Sequence, residues 1–281
     1  MPLPPEALYR SVLVVAHPDD EVLWFSSILD AVAKIVIVFD TAHGSAEREA
    51  AFRNRIADHP LAGKITSLGL TRVRSHNRSR WPEPEATDYG LKLEDDAALD
   101  AAYGVQYQDA QAALRPYLEE ASNVFTHNPW GEYGHEDHVQ LSKCVTALTD
   151  ELGATVWYSN YVSGKSSRLM RRYVTGFRSD YLVNHIDSAR ARVIADTYFR
   201  HGTWTLDPDY DWFPSECFIQ GPLESSELAT AGTLFPVNYL RVPFDPIPAR
   251  VPGPGLPSRI RRRLRRVLGR NNKAPAHAAT R

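Results

Sequence analysis

Residues 12–16, Val-Leu-Val-Val-Ala, form an uninterrupted apolar run that ends on His17-Pro18-Asp19-Asp20-Glu21. With no polar alternation, both faces of such a strand need cover, as in a parallel sheet held between helices. Sheets of that kind keep their chemistry at the carboxyl ends of the strands. Here that end carries His17, Asp19 and Asp20, and the apolar run 22–29 predicts a helix that starts at once behind Pro18. Ionisable groups on a hydrophobic rim cost free energy unless something binds them. A divalent metal is one such partner, since His17 nitrogen and Asp20 oxygen suit zinc and leave Asp19 as a base. A helix N-cap with solvated neighbours is the other, and this stretch alone does not choose between them.

A second stretch shifts the balance. Residues 122–141 repeat the plan: a short apolar strand, a loop of Asn, Pro and Gly, then His135-Glu136-Asp137-His138 opening a helix. His135 and His138, three apart, share a helical face. Zinc hydrolases hold the metal with three protein ligands and leave a position for water, a set that His17, Asp20 and His138 would supply. His135 would then be spare for catalysis.

Ala16-His17-Pro18-Asp19-Asp20-Glu21, followed over a hundred residues later by Tyr133-Gly134-His135-Glu136-Asp137-His138, resembles the LmbE-like (PIG-L type) family of zinc-dependent N-acetylglucosaminyl deacetylases. Ser215-Glu216-Cys217-Phe218 is similar to a Glu-x-Phe strand late in that family's domain, so the resemblance spans about residues 10–220. It implies an amide hydrolase that removes an N-acetyl group from an amino sugar or glycoconjugate, with one zinc ion on His17, Asp20 and His138. Iron(II) suits the same ligands. The resemblance further implies that Asp19 is the general base and that His135 stabilises the oxyanion or protonates the leaving amine. Asp137 would orient His135, and Tyr133 would help polarise the carbonyl. Arg48 is the candidate for a substrate-touching arginine. The chain departs from the family at Leu23-Trp24-Phe25, where small residues are usual, and at Glu136, where proline is common. Amidases of thiol or antibiotic conjugates lie within the same family, and a non-catalytic Rossmann-like binding module is the rival from another class. Against that rival, both motifs keep all their ionisable positions.

A chain of 281 residues suits one sizeable α/β domain. With a formal net charge of −2, bulk charge gives no reason to expect a nucleic-acid partner. Cys144 and Cys217 match no zinc spacing and read as buried thiols. The first residues lack the pattern of a signal peptide and no run is long enough to span a bilayer, so a cytoplasmic enzyme is expected.

The succession of strands (Lys34–Asp40, Lys64–Leu68, 122–127, Thr155–Ser159) and helices (45–58, 105–120, 135–151, Asp187–His201) predicts a Rossmann-like, mostly parallel sheet with helices on both faces. It lacks the Gly-x-Gly-x-x-Gly turn of dinucleotide sites. His43, in the loop after the second strand, reads either as a lining residue of a sugar pocket or as an ordinary turn histidine. The polar segment 69–100, with Arg80 beside Trp81, suits carbohydrate stacking or phosphate capture. Residues 204–213 read as a cleft wall or a surface loop. The domain is expected to cover 1–242, followed by a Pro/Gly-rich linker at 243–258 and a basic tail at 259–281. Ile260, Leu264, Val267 and Leu268 share a helical face among arginines, a pattern for peripheral contact with an anionic membrane or for a solvated tail. Oligomeric state is not legible.

Overall fold

In the computed structural model, which describes residues 8–40, 50, 54–94, 96–174, 181–223 and 236–242, the first apolar run is β1 (Ser11–Val15), buried at every position. β2 (Lys34–Ile37), β3 (Ile65–Ser67), β6 (Asn123–Thr126), β7 (Thr155–Ser159), β9 (Tyr181–His185) and β10 (Ser215–Gln220) join it in one sheet of order β3-β2-β1-β6-β7-β10-β9. The five strands from β3 to β7 are parallel, and β10 runs antiparallel to both its neighbours. Two short pairs stand apart: β4 (Ala86–Thr87) with β5 (Gly90–Leu91), and β8 (Tyr161–Ser163) with β11 (Asn238–Leu240).

Alternate residues of β1 feed two cores. Val12, Val14 and Ala16 pack with Leu114 and Leu118 of α2 (Ala97–Leu118) and Leu141 and Val145 of α3 (Glu136–Leu152). Leu13 and Val15 pack with Val22 of α1 (Asp20–Trp24) and Ile194 and Tyr198 of α5 (Ser188–Arg200). α4 (Ser167–Tyr173) follows β8 and lends Leu169 and Met170 to the first core. The doubly wound α/β expectation therefore holds.

This topology positions the site. β1 leads to β2 on one side while β6 lies against its other edge, so the order reverses between β1 and β6, the crevice where α/β sheets bind ligands. Their register pairs Val14 with Thr126, which sets the two motifs side by side.

Three segments differ from expectation. α1 stops at Trp24 instead of running to 29, because the carboxylate of Glu216 on β10 takes the N–H groups of Ser26 and Ser27 at 3.0 and 2.9 Å, away from helical carbonyls. α2 starts at Ala97, not 105; Asp96 caps it by accepting from the N–H of Ala98 and Leu99, and 22 residues absorb the cost of an interior Gly104. Within the polar segment 69–100 lies the β4–β5 pair. Residues 54–58 are helical; Arg48 and His43 lie outside the described residues. The chain divides into units 1–245 and 246–281, and every described residue lies in the first. The expected linker and basic tail therefore fall outside the described residues. No described helix is long and apolar enough to cross a membrane, and both cysteines are free and buried.

Candidate metal and catalytic centre

The corner after β1 is held tightly. Asp19 adopts a left-handed backbone (φ 87°), with its N–H on Glu21 Oε2 at 3.1 Å. Asp20, the first residue of α1, accepts His17 N–H through Oδ2 at 2.7 Å and Trp24 Nε1–H through Oδ1 at 3.0 Å. The bulky Trp24, a departure at sequence level, thus serves as a donor that fixes Asp20.

The corner after β6 is built on Glu132, fully buried and also left-handed (φ 49°). Beside it Gly131 (φ 68°) leaves room that a Cβ would take, 2.6 Å from His135 O. Glu132 Oε2 accepts from Nδ1 of His127 at 3.0 Å and Nδ1 of His138 at 2.7 Å. Burial alone would raise its pKa, but His127 and His138 overcome that and bring it down to about 2. Burial would lower the His127 pKa, but the carboxylates of Glu132 and Asp20 raise it to about 9. Yet Ala16 N–H donates to His127 Nε2 at 2.9 Å, which needs that nitrogen's lone pair and fixes the neutral ring.

With Nδ1–H on Glu132, His138 turns a lone pair on Nε2 inward, and this buried atom has no hydrogen-bond partner. It lies 3.3 Å from Asp20 Oδ2, and His17 Nδ1 lies 3.3 Å from the same oxygen. Donors bonded at about 2.0–2.1 Å to one tetrahedral zinc stand about 3.3 Å apart, so the donor set fits the ion. All three ligand atoms are within 4.8 Å of one another. Burial opposes ionisation of Asp20, but His138 and His127 hold its carboxyl well below the usual range, ready as a ligand. Among the described residues three further groups of ligating side chains also come close together, His17/His135/Asp137, His76/His135/Glu136 and His127/Glu132/His138.

Asp137 does not orient His135 through its carboxylate. Oδ2 takes His17 Nε2 at 3.0 Å and Oδ1 takes Ser75 Oγ–H at 2.6 Å; only the Asp137 backbone N–H meets His135, at Nδ1, 3.1 Å away. The reason is local: His135 is the N-cap of α3 and its ring satisfies the exposed N–H of the first turn. Asp137 and Glu132 therefore stand behind His17 and His138, the carboxylate–histidine arrangement that tunes metal ligands. Burial, with His138 and His17 close by, keeps the His135 pKa well below its ordinary value, so the ring is neutral with a proton on Nε2.

Above these residues opens a cleft of about 540 Å³. It is lined by His17, Asp19, Asp20, Tyr133 and His135, by the apolar Leu23, Trp24, Phe39, Leu206 and Val242, and by Arg55, Arg72 and His76. Burial and Asp20 raise the Asp19 pKa, opposed by a bond from Thr205. Residues 203 and 205–207 line the cleft, so this segment is wall. Arg80 is exposed and does not line it; Arg72, eight residues earlier, does. The turn carrying Asn77, Ser79 and Trp81 is tied down by Glu136, whose carboxylate accepts Asn77 N–H, Ser79 N–H and Trp81 Nε1–H at 3.1, 2.9 and 3.0 Å. Sequence reading missed His127, Glu132, Thr205 and this role of Glu136. A histidine ending an apolar strand and an acid inside the second motif were signals for the first two.

A doubly wound α/β protein with a histidine–carboxylate centre at its switch point is thus defined. Residues 12–149 match the family model PIG-L, GlcNAc-PI de-N-acetylase. Among curated proteins none matches. Similar solved structures include a deacetylase–bog complex from teicoplanin biosynthesis (16% identity, TM-score 0.51, covering 77% of this chain and 99% of that one). A deacetylase–teicoplanin complex (16%, TM-score 0.48, covering 75% and 99%) and the zinc-inhibited form of teicoplanin deacetylase Orf2 (16%, 0.49, 77% and 99%) are others. At these identities the likeness of the first speaks for the fold.

Proposed function

We propose that the protein is a zinc-dependent hydrolase that removes the acetyl group from an N-acetylated amino sugar or sugar conjugate. The observation that carries this reading is the pair of histidine nitrogens, each 3.3 Å from one Asp20 oxygen and each backed by a carboxylate, beside a cleft that His17 and Asp20 line, in a chain whose residues 12–149 match the PIG-L model.

His17, Asp20 and His138 would hold the ion. When bound, it supplies Lewis-acid polarisation of the amide carbonyl and lowers the pKa of a water toward neutrality. Asp19 accepts one proton of the attacking water and returns it to the departing amine, so that amide and water become amine and acetic acid, which exchange a proton to ammonium and acetate at neutral pH. Neutral His135, with its proton on Nε2, and the Tyr133 hydroxyl donate hydrogen bonds to the oxygen that gains charge; His135 acts here as a donor and not as a charged acid. Leu23, Trp24, Leu206 and Val242 suit an apolar group on the sugar.

Release of acetate from N-acetylglucosamine conjugates by the zinc-loaded chain tests the reaction. Asp19→Asn is expected to lose nearly all turnover while keeping one zinc per chain. Substantial activity in that variant would remove Asp19 from its role.

A further inference from the structure

We propose that Thr205 is a positioning residue for Asp19: its hydroxyl and backbone N–H fix the carboxylate by one oxygen and leave the other open to the cleft. The inference rests on the reading of Asp19 as base. Thr205 Oγ1–H donates to Asp19 Oδ2 at 2.6 Å and Thr205 N–H donates to the same atom at 3.1 Å. No described residue bonds Oδ1. Asp19 is 2% exposed and sits in a left-handed backbone conformation that non-glycine residues rarely adopt. Its own N–H is anchored on Glu21, but that bond does not set the rotation of the carboxylate. The two Thr205 bonds do.

Thr205 lies well beyond residues 12–149, in a segment carried by α5. After the turn at Gly202 (φ 63°), Thr203 N–H returns to Tyr198 O at 2.9 Å, and the Trp204 ring stacks on Phe199 at 4.9 Å. Arg192 grips the carbonyls of Pro208 and Tyr210 at 3.2 and 3.0 Å. The segment is therefore fixed from both sides, as preorganisation of a base requires.

Thr205→Val keeps the backbone N–H and nearly the same volume but removes the O–H; Thr205→Ser keeps the O–H. With the full zinc-loaded chain and the p-nitrophenyl glycoside of N-acetylglucosamine, read as released acetate, Thr205→Val is expected to lower kcat by about 10- to 100-fold, the size of one hydrogen bond to a charged group. KM should stay within about twofold and zinc at one per chain, with Thr205→Ser within about threefold of the parent. A Val variant within threefold of the parent, or a Ser variant as slow as Val, overturns the proposal. If the parent itself releases no acetate, the deacetylase reading fails and positioning is read from crystal structures instead. An Asp19 carboxylate turned in Thr205→Val but not in Thr205→Ser supports it, and an unmoved one in Thr205→Val overturns it.

Discussion

Glu132 is the residue on which the rings of His127 and His138 both depend. An amide in its place can keep its oxygen on both rings only by turning its NH₂ against the N–H of Asn128, which donates to the other carboxylate oxygen at 3.1 Å, so Glu132→Gln is expected to weaken zinc about 10- to 100-fold, measured by competition with a chromogenic chelator. Unchanged affinity would mean that the tautomer of His138 is set elsewhere. His138→Ala should bind no zinc, and a full equivalent in the purified variant would count against the ligand set. Much of the centre was legible at this scale. His17, Asp19, Asp20, His135 and His138 stand in two contiguous motifs whose residue types announce their chemistry. The partner of Asp137 was not legible, because it depends on which N–H the His135 ring caps. Nor was Thr205, which meets Asp19 only through the tertiary path of α5, across 186 residues.

At the scale of elements, carboxylates clamp loops onto the sheet. Glu136 holds the turn bearing Asn77, Ser79 and Trp81 against the start of α3. Glu136→Ala is expected to raise KM by more than it lowers kcat, because His76 and Arg72, which line the cleft, lose their support while the metal ligands do not; steady-state kinetics check this. On the outer face Arg190 of α5 makes two bonds to Asp30, 3.0 and 2.8 Å, and holds its carboxyl below the usual range. The depressed pKa means stability present above about pH 4 and lost as pH falls through the folded-state value. Asp30 is largely exposed, so Asp30→Asn should cost less than about 1 kcal/mol at pH 7 and nothing once the carboxylate is protonated, as read by urea melts across pH. Strand positions were legible from apolar runs and α5 from its Asp187 cap. The early end of α1 was not, since the competing acceptor is Glu216, 190 residues away.

For the whole molecule, the reversal of strand order between β1 and β6 joins two motifs separated by more than a hundred residues into one donor set. The sequence pattern implied the doubly wound class, but strand order follows from packing of both sheet faces, and the antiparallel β10 carries no local mark of direction. Because the ion binds only the folded arrangement, zinc at a hundredfold excess over its Kd adds about 2.7 kcal/mol, a rise in Tm on the order of 5–11 °C for a domain of this size. A chelator should reverse the rise, and His138→Ala should show neither effect. The most direct test of the account is an anomalous difference map at the zinc edge from crystals of the full chain. It predicts one peak bonded to Nδ1 of His17, the carboxylate of Asp20 and Nε2 of His138. No peak there, or one bonded to a different set of side chains, would contradict it.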